Sequence, residues 1–213
     1  MTHYSKRSSS RRESQRKLPG LKKPAGSGSI RIIGGQWRGR KIPVAEAPGL
    51  RPTGDRVRET LFNWLMHDIP GSHCLDLFAG SGALGLESAS RGAAFVALVE
   101  AELTVSHRLK SALGDLAAGD AVSLFAMSAS AFLESNQRQF DIVFVDPPFA
   151  LHLHRQTLGQ LVGKHLSDNA LVYLEMHADE QAIIDDLPDQ LSVFRQKRFG
   201  DVTVCLLQYN HGV

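Results

Sequence analysis

Two rhythms alternate along the chain from about residue 73 onward. Short runs in which nearly every position is apolar, HCLDLF, AFVALVE, AVSLFA, FDIVFVD and ALVYLEM, are each followed by a stretch whose apolar residues recur every three or four positions: ALGLESASR, LTVSHRLKSAL, SAFLESN, LHRQTLGQLVG and a short segment near 179–186. Runs too apolar to alternate fit strands covered on both faces, and the longer period fits the helices that cover them. The pattern predicts an α/β fold with a mostly parallel, doubly wound sheet. The last two runs, LSVFRQKRF and DVTVCLLQY, meet at Gly200 and Asp201 and read as an antiparallel hairpin closing that sheet.

The text changes upstream. IRIIGG and QWRGRKIPV read as two short strands around Gly34 and Gly35, a small N-terminal β-hairpin. Trp37 there suits either stacking on a base or anchoring the ribbon to the body. In GLRPTGDRVRETLFNWLMHDI, Thr53 or Asp55 starts a helix after Pro52, and Val57, Leu61, Phe62, Trp64 and Leu65 follow near helical spacing. Residues 1–29 are rich in Ser, Lys, Arg, Pro and Gly and nearly lack apolar side chains, so they cannot offset the entropy of ordering and are expected to be disordered when unbound. Three parts result: a basic arm over 1–29, a hairpin and helix over 30–70, and an α/β body over 71–213.

Charge sharpens this division. The net charge is only +2, yet residues 1–41 hold twelve Lys and Arg against Glu13 alone, while the other 172 hold twelve basic and twenty-one acidic residues. A basic arm on an acidic body points to a polyanionic partner, because lysine and arginine displace counterions from phosphates. A solvated leader would have the same composition, and nothing in the arm separates RNA from DNA. No run of eighteen apolar residues and no apolar signal-peptide core occurs, so a cytoplasmic protein without membrane insertion is expected. Cys74 and Cys205 sit in apolar runs without metal-site spacing and read as buried thiols. His152 and His154 have no acid or cysteine spaced to complete a metal site, so no metal is expected. Arg195, Lys197 and Arg198 read as charges that discourage edge pairing.

The first strand runs into Ala79-Gly80-Ser81-Gly82-Ala83-Leu84-Gly85, and Gly80, Gly82 and Gly85 satisfy G-x-G-x-x-G. Such glycines let the backbone turn sharply and approach a ligand closely. A nicotinamide dinucleotide, or a plain strand-to-helix turn, would use the same pattern. Asp76 lies inside the strand, where a carboxylate is costly to bury without a partner. Glu100 ends the second strand, eighteen residues after Gly82, where a carboxylate can grip ribose hydroxyls. Together they indicate an adenosine-type cofactor and leave its class open.

The fourth strand narrows the choice. Asp146-Pro147-Pro148-Phe149 follows five apolar strand residues, at the carboxyl edge where α/β sites form. Two prolines remove two N–H donors and stiffen the loop, leaving carbonyls and one carboxylate. Acceptors without donors suit an amino group: an exocyclic NH2 of guanine, adenine or cytosine could donate to Asp146 and to the Pro147 carbonyl while Phe149 stacks on the ring. Drawing on those hydrogens makes the nitrogen more nucleophilic toward a sulfonium methyl held in line with it.

At this point the sequence closely resembles the class I S-adenosylmethionine-dependent methyltransferases, specifically the bacterial 16S ribosomal RNA guanine-N2 methyltransferase family. The likeness runs over residues 30–209 and rests on RIIGGQWRGRKIPV, LRPTGDRVRETLFNWL, LDLFAGSGALGLESASRG and DIVFVDPPF. It implies a Rossmann-like fold, an S-adenosylmethionine-binding catalytic domain over 71–213, and a guanine of 16S rRNA as substrate, offered by the small ribosomal subunit or a late assembly intermediate. It implies that Asp76, Gly80 and Gly82 line the cofactor's methionine portion and that Glu100 holds its ribose. Asp146, Pro147 and Phe149 then form the amino-group site. The segment with Arg51, Thr53 and Arg56 resembles the family's lid, so these residues are expected against cofactor carboxylate or RNA phosphate. The third strand ends in Met127-Ser128-Ala129, without the acid many class I enzymes turn toward adenine, so adenine contacts are expected from Ser128 and backbone amides.

Other readings predict different things. A DNA amino-methyltransferase needs a sequence-reading domain for which 213 residues leave no room. An NAD-dependent oxidoreductase leaves Asp146-Pro147-Pro148-Phe149 without a task. A non-catalytic RNA-binding assembly factor would keep its function without Asp146. A monomer is the default.

Overall fold

The computed structural model describes residues 28–43, 54–148 and 151–212. Most of the basic arm, Arg51 and Thr53 of the expected lid, and Phe149 lie outside the described residues.

Among the described residues, nine strands and six α-helices follow the two rhythms of the sequence. The small hairpin pairs β1 (Ser29–Arg31) with β2 (Lys41–Pro43). Then come α1 (Asp55–Trp64), β3 (His73–Asp76), α2 (Ala83–Ser90), β4 (Phe95–Val99), α3 (Leu103–Leu116), β5 (Val122–Phe125) and α4 (Ala129–Ser135). β6 (Phe140–Val145), α5 (His154–Leu161), β7 (Leu166–His177), α6 (Ala182–Asp185), β8 (Leu191–Phe199) and β9 (Val202–Tyr209) complete the chain. β3 to β9 form one sheet in the order β5-β4-β3-β6-β7-β9-β8. The first five of these are parallel, and β9 is antiparallel to both β7 and β8.

The side-chain alternation of the strands sorts the core into two layers. Cys74, Val96, Leu98, Ile142, Phe144 and Tyr173 face one side, beneath α1, α2, α3 and the hairpin. Leu75, Ala97, Val99, Val143, Val145 and Leu174 face the other, beneath α4, α5 and α6. Both faces of the central strands are covered, which is why they carry no polar alternation. Cys74 and Cys205 are buried and unlinked, and burial pushes the Cys74 thiol up to about 12, so it stays neutral.

The C-terminal hairpin shows its logic in burial. β9, last in the chain, is inserted beside β7 and is buried from Thr203 to Leu207, whereas β8 forms the edge and is exposed from Ser192 to Arg198. The expected positive charges of the edge strand, Arg195, Lys197 and Arg198, all fall on this exposed segment.

Three-residue strands make a hairpin that is marginal alone, and α2 supplies what it lacks. Glu87, fully buried, accepts the backbone amides of Ile33 and Gly34 at 2.7 Å each and pairs with Arg91 Nε at 2.7 Å. Ser90 Oγ donates to the Gly34 carbonyl at 2.6 Å and accepts the Trp37 amide at 2.9 Å. Gly35 sits at φ +73, and a Cβ there would lie 1.7 Å from the Ser90 carbonyl oxygen, so only glycine lets the ribbon come this close. Trp37 stands in the turn between the strands, 7% exposed and packed into the core, so it anchors the ribbon and is not presented for stacking on a base. Arg58 of α1, also fully buried, donates to the Arg31 carbonyl at 3.0 Å and to Asp55 at 2.6 Å, with its Nη1 3.9 Å from Glu87.

Candidate active site

Strand order reverses between β3 and β6, since the chain runs outward through β4 and β5 on one side and through β6 and β7 on the other. Open α/β sheets bind ligands in the crevice beyond the carboxyl ends of the strands at such a point. A cavity of about 1020 Å³ lies there, lined by the loop after β3, the ends of β4 and β6, Glu175 of β7, and Gly54 and Val57 at the start of α1. The start of α1 thus borders the cavity, and Asp55 is the first residue of the helix, one of the two starts the sequence predicted, with Gly54 as an N-cap that has no side-chain cap.

The loop is built around Asp76. Its carboxylate is 2% exposed and accepts the amide of Gly85, inside α2, at 3.0 Å. Burial pushes this carboxyl up to about 7; the Gly85 bond opposes that rise and the charge of Glu100 adds to it. Glu100 accepts the Gly80 amide at 2.8 Å and the Glu102 amide at 2.7 Å, joining the ends of β3 and β4. Gly80 lines the cavity. Gly82 does not: it is the left-handed N-cap of α2 at φ +78, and a Cβ on it would lie 2.7 Å from Leu109 and 2.9 Å from Leu86. It turns the chain under α3, and Gly80 and Ser81 before it face the cavity.

The lining has one sign of charge. Asp76, Glu100, Glu102, Asp146, Glu175 and Asp201 border the cavity, and among the described lining residues there is no Lys or Arg. A dinucleotide would bring a pyrophosphate into this field. A ligand with a sulfonium and an ammonium group would meet it with the opposite sign. No group of three or more His, Cys, Asp or Glu among the described residues is placed to hold a metal ion.

On the far wall β6 ends at Val145, and Asp146, Pro147 and Pro148 pass into the cavity. Behind them the fully buried Tyr173 donates its hydroxyl to Glu175 Oε2 at 2.6 Å. Its phenol is held well above the ordinary 10, first by burial and then by the charges of Glu175 and Asp146, so it remains a donor. His154, at the start of α5, is buried, and its Nε2 lies 2.8 Å from the Glu175 carbonyl; burial lowers its pKa, which favours the neutral ring. His152 is exposed and 3.1 Å from Glu180.

Asp76, Gly80, Glu100, Ser128, Asp146 and Pro147 thus share one cavity. Ser128 also caps α4, accepting the Ala131 amide at 3.2 Å. Arg56 is exposed on α1 and is not among the lining residues. Glu175 and Tyr173 were missed at the level of sequence. In ALVYLEM they read as the end of a buried strand, and the one available signal was a carboxylate placed two residues after a tyrosine inside an apolar run.

Comparison with known proteins gives the chain its relatives. The family described as Conserved hypothetical protein 95 matches residues 30–208. The chain is 49% identical over 191 residues to the ribosomal RNA small subunit methyltransferase D of Escherichia coli strain K12, covering 88% of this chain and 95% of that protein. To the protein of the same name from Haemophilus influenzae it is 44% identical over 192 residues, covering 88% and 98%. The solved structure of yhhF from Escherichia coli superposes with a TM-score of 0.79 at 44% identity, covering 86% of this chain and 99% of that one. The chain therefore belongs to the family of Conserved hypothetical protein 95, alongside the ribosomal RNA small subunit methyltransferases D.

Proposed function

We infer that this protein transfers a methyl group from S-adenosylmethionine to the exocyclic N2 amine of a guanine in 16S rRNA of the small ribosomal subunit. The observation that carries this reading is the single acidic cavity that joins the β3 glycine loop to Asp146 and Pro147. The 49% identity to a small-subunit RNA methyltransferase selects the class of nucleic acid.

The residues present fit the cofactor. Asp76 is a buried carboxylate held near neutrality in the absence of a cation, Glu100 stands at the strand end where ribose hydroxyls bind, and Gly80 lets the backbone approach. Ser128 and the neighbouring backbone border the adenine end, and Thr53 and Arg56 belong to the segment that covers the cofactor. S-adenosylmethionine, when bound, supplies an electrophilic methyl group on a cationic sulfur. Asp146 and the Pro147 carbonyl accept the two hydrogens of the amine and aim its lone pair, while Phe149 stacks on the ring. As that lone pair forms the new N–C bond and the methyl–sulfur bond breaks, its electron pair staying on sulfur, the nitrogen gives up a proton, and Asp146 takes it.

On this reading 1–29 is a phosphate-binding arm, 30–70 a ribbon and lid, and 71–213 the catalytic domain. A protein-bearing subunit or late assembly intermediate is the substrate, since one small domain offers little surface for choosing a single guanine in naked RNA. The reaction then takes place in the cytoplasm, with the protein acting as a monomer.

Methyl-labelled S-adenosylmethionine and small subunits from cells lacking the protein test this. Mass spectrometry of digested RNA should find label in N2-methylguanosine, and Asp146→Ala should reduce transfer at least about a hundredfold while S-adenosylhomocysteine still binds. Label in DNA or in another nucleoside overturns the substrate, and transfer by Asp146→Ala at the wild-type rate overturns the catalytic assignment.

A further inference from the structure

The wall of the cavity beside Asp146 carries a second carboxylate whose position follows from strand register. β6 and β7 are parallel and pair Phe144 with Tyr173 and Val145 with Leu174. Asp146 and Glu175 are the residues that follow the last pair of that ladder, where neighbouring strands lie about 4.8 Å apart. Alternate residues share a face, and Phe144 and Tyr173 lie in one core layer while Val145 and Leu174 lie in the other. Asp146 and Glu175 therefore stand on the same face, and both border the cavity.

Glu175 is held there more firmly than a surface acid. It is 7% exposed, it accepts the Tyr173 hydroxyl at 2.6 Å, and its own carbonyl is engaged by His154. Tyr173 is fully buried between Phe144, at a centroid distance of 6.2 Å, and β9. It cannot swing away, so the carboxylate it orients has one direction. A carboxylate offers about four lone-pair positions, more than one tyrosine hydroxyl takes up, and Glu175 borders the cavity.

An acceptor at this place distinguishes the bases. The amine of adenine adjoins N1 and that of cytosine adjoins N3, ring nitrogens that carry lone pairs. Guanine alone has a ring N–H, at N1, beside its amine. We propose that Glu175, oriented by Tyr173, accepts the N1–H of the target base while Asp146 holds the neighbouring amine, and that this pair of carboxylates restricts the reaction to guanine. Adenine or cytosine in the same place would set a ring lone pair against a buried carboxylate, and a site built for a donor discriminates steeply against a base that lacks it. Glu175 is then a specificity-determining residue and Tyr173 a positioning residue. The inference rests on the base-amine reading given above and adds the group that chooses the base.

The test uses small subunits reconstituted on 16S rRNA that carries 2-aminopurine, which keeps the amine but has a lone pair at N1, at the guanine the normal reaction labels. Wild-type enzyme on unmodified subunits is the control: without N2-methylguanosine there, it is the base-amine reading that fails. With that control positive, kcat/KM on 2-aminopurine should fall about a hundredfold or more below guanine. E175Q should narrow the ratio at least tenfold, because its amide can donate to N1, losing rate on guanine while gaining on the analogue. Equal rates of the wild type on the two bases, or a ratio unchanged in E175Q, overturns the proposal. If E175Q fails to fold, judged by loss of S-adenosylhomocysteine binding, Y173F carries the test. It leaves the carboxylate but frees it, so the ratio should shrink severalfold, and an unchanged ratio overturns the proposal.

Discussion

A buried carboxylate with its pKa pushed up to about 7 is waiting for a positive charge, and Asp76 is such a group. Binding a cation beside it favours the ionised form, so below about pH 7 the ligand must displace a proton. Affinity for S-adenosylmethionine should therefore rise as pH increases toward 7 and level off above it. Calorimetry at pH 6 in two buffers of different ionisation heat should report release of close to one proton, and D76N should bind more weakly with that release abolished. Stability of the free protein should respond in the opposite sense. Between about 4 and 7 the unfolded chain gives up this proton while the folded chain keeps it, so the contribution of Asp76 declines across that window and is flat above it. At the same scale, Asp76, Glu100 and Asp146 were legible because spacing from a glycine loop or a strand end gives a carboxylate a meaning. Glu175 was not, because its meaning comes from the β6–β7 register, which joins residues 29 positions apart.

Among the elements, the order of strands and helices and a mostly parallel sheet closed by an antiparallel hairpin were readable from periodicity, and the order of the strands within the sheet was not. That β9 pairs with β7, leaving β8 at the edge, depends on which strand of the hairpin can be buried: VTVCLLQY can, and LSVFRQKRF with three cations cannot. The hairpin at the other end was legible as a ribbon, but its attachment was hidden, because Glu87 reads as a polar position in the middle of a small-residue helix. In the structure it is the partner of two backbone amides and one arginine, with a second arginine facing it. Removing one member of a buried pair strands the others, at a cost of about 3 to 5 kcal/mol. E87A should therefore lower Tm by roughly 10 °C, taking about 2 to 4 °C per kcal/mol for a chain of this size. E87Q, which keeps one acceptor, should lose less. A melting temperature within about 2 °C of wild type in E87A would mean that the hairpin is held mainly by Trp37 and its apolar neighbours.

At the scale of the whole molecule, the chain separates its charges. The cavity is acidic because it must hold a cation and accept hydrogens from an amine, yet the substrate is a polyanion that an acidic body repels. Twelve cations precede residue 42, and on the proposed reading they supply the attraction that the body does not. Those on the ribbon, Arg31, Arg38, Arg40 and Lys41, are exposed on a docked element, and the eight Lys and Arg of residues 1–29 lie on a segment with almost no apolar content. Each phosphate neutralised on single-stranded nucleic acid adds about 0.7 to the slope of log affinity against log salt, so the arm can account for a slope of up to roughly 6. Deleting residues 1–28, which stops short of β1, should weaken RNA binding most at low salt and reduce that slope by two or more. KM for subunits should rise while kcat at saturating substrate stays within about twofold, because no group that touches the amine has been removed. Binding measured from 50 to 300 mM salt decides the matter: an unchanged slope would assign the attraction to the ribbon alone, and a fall in kcat would mean that the arm also orders the lid.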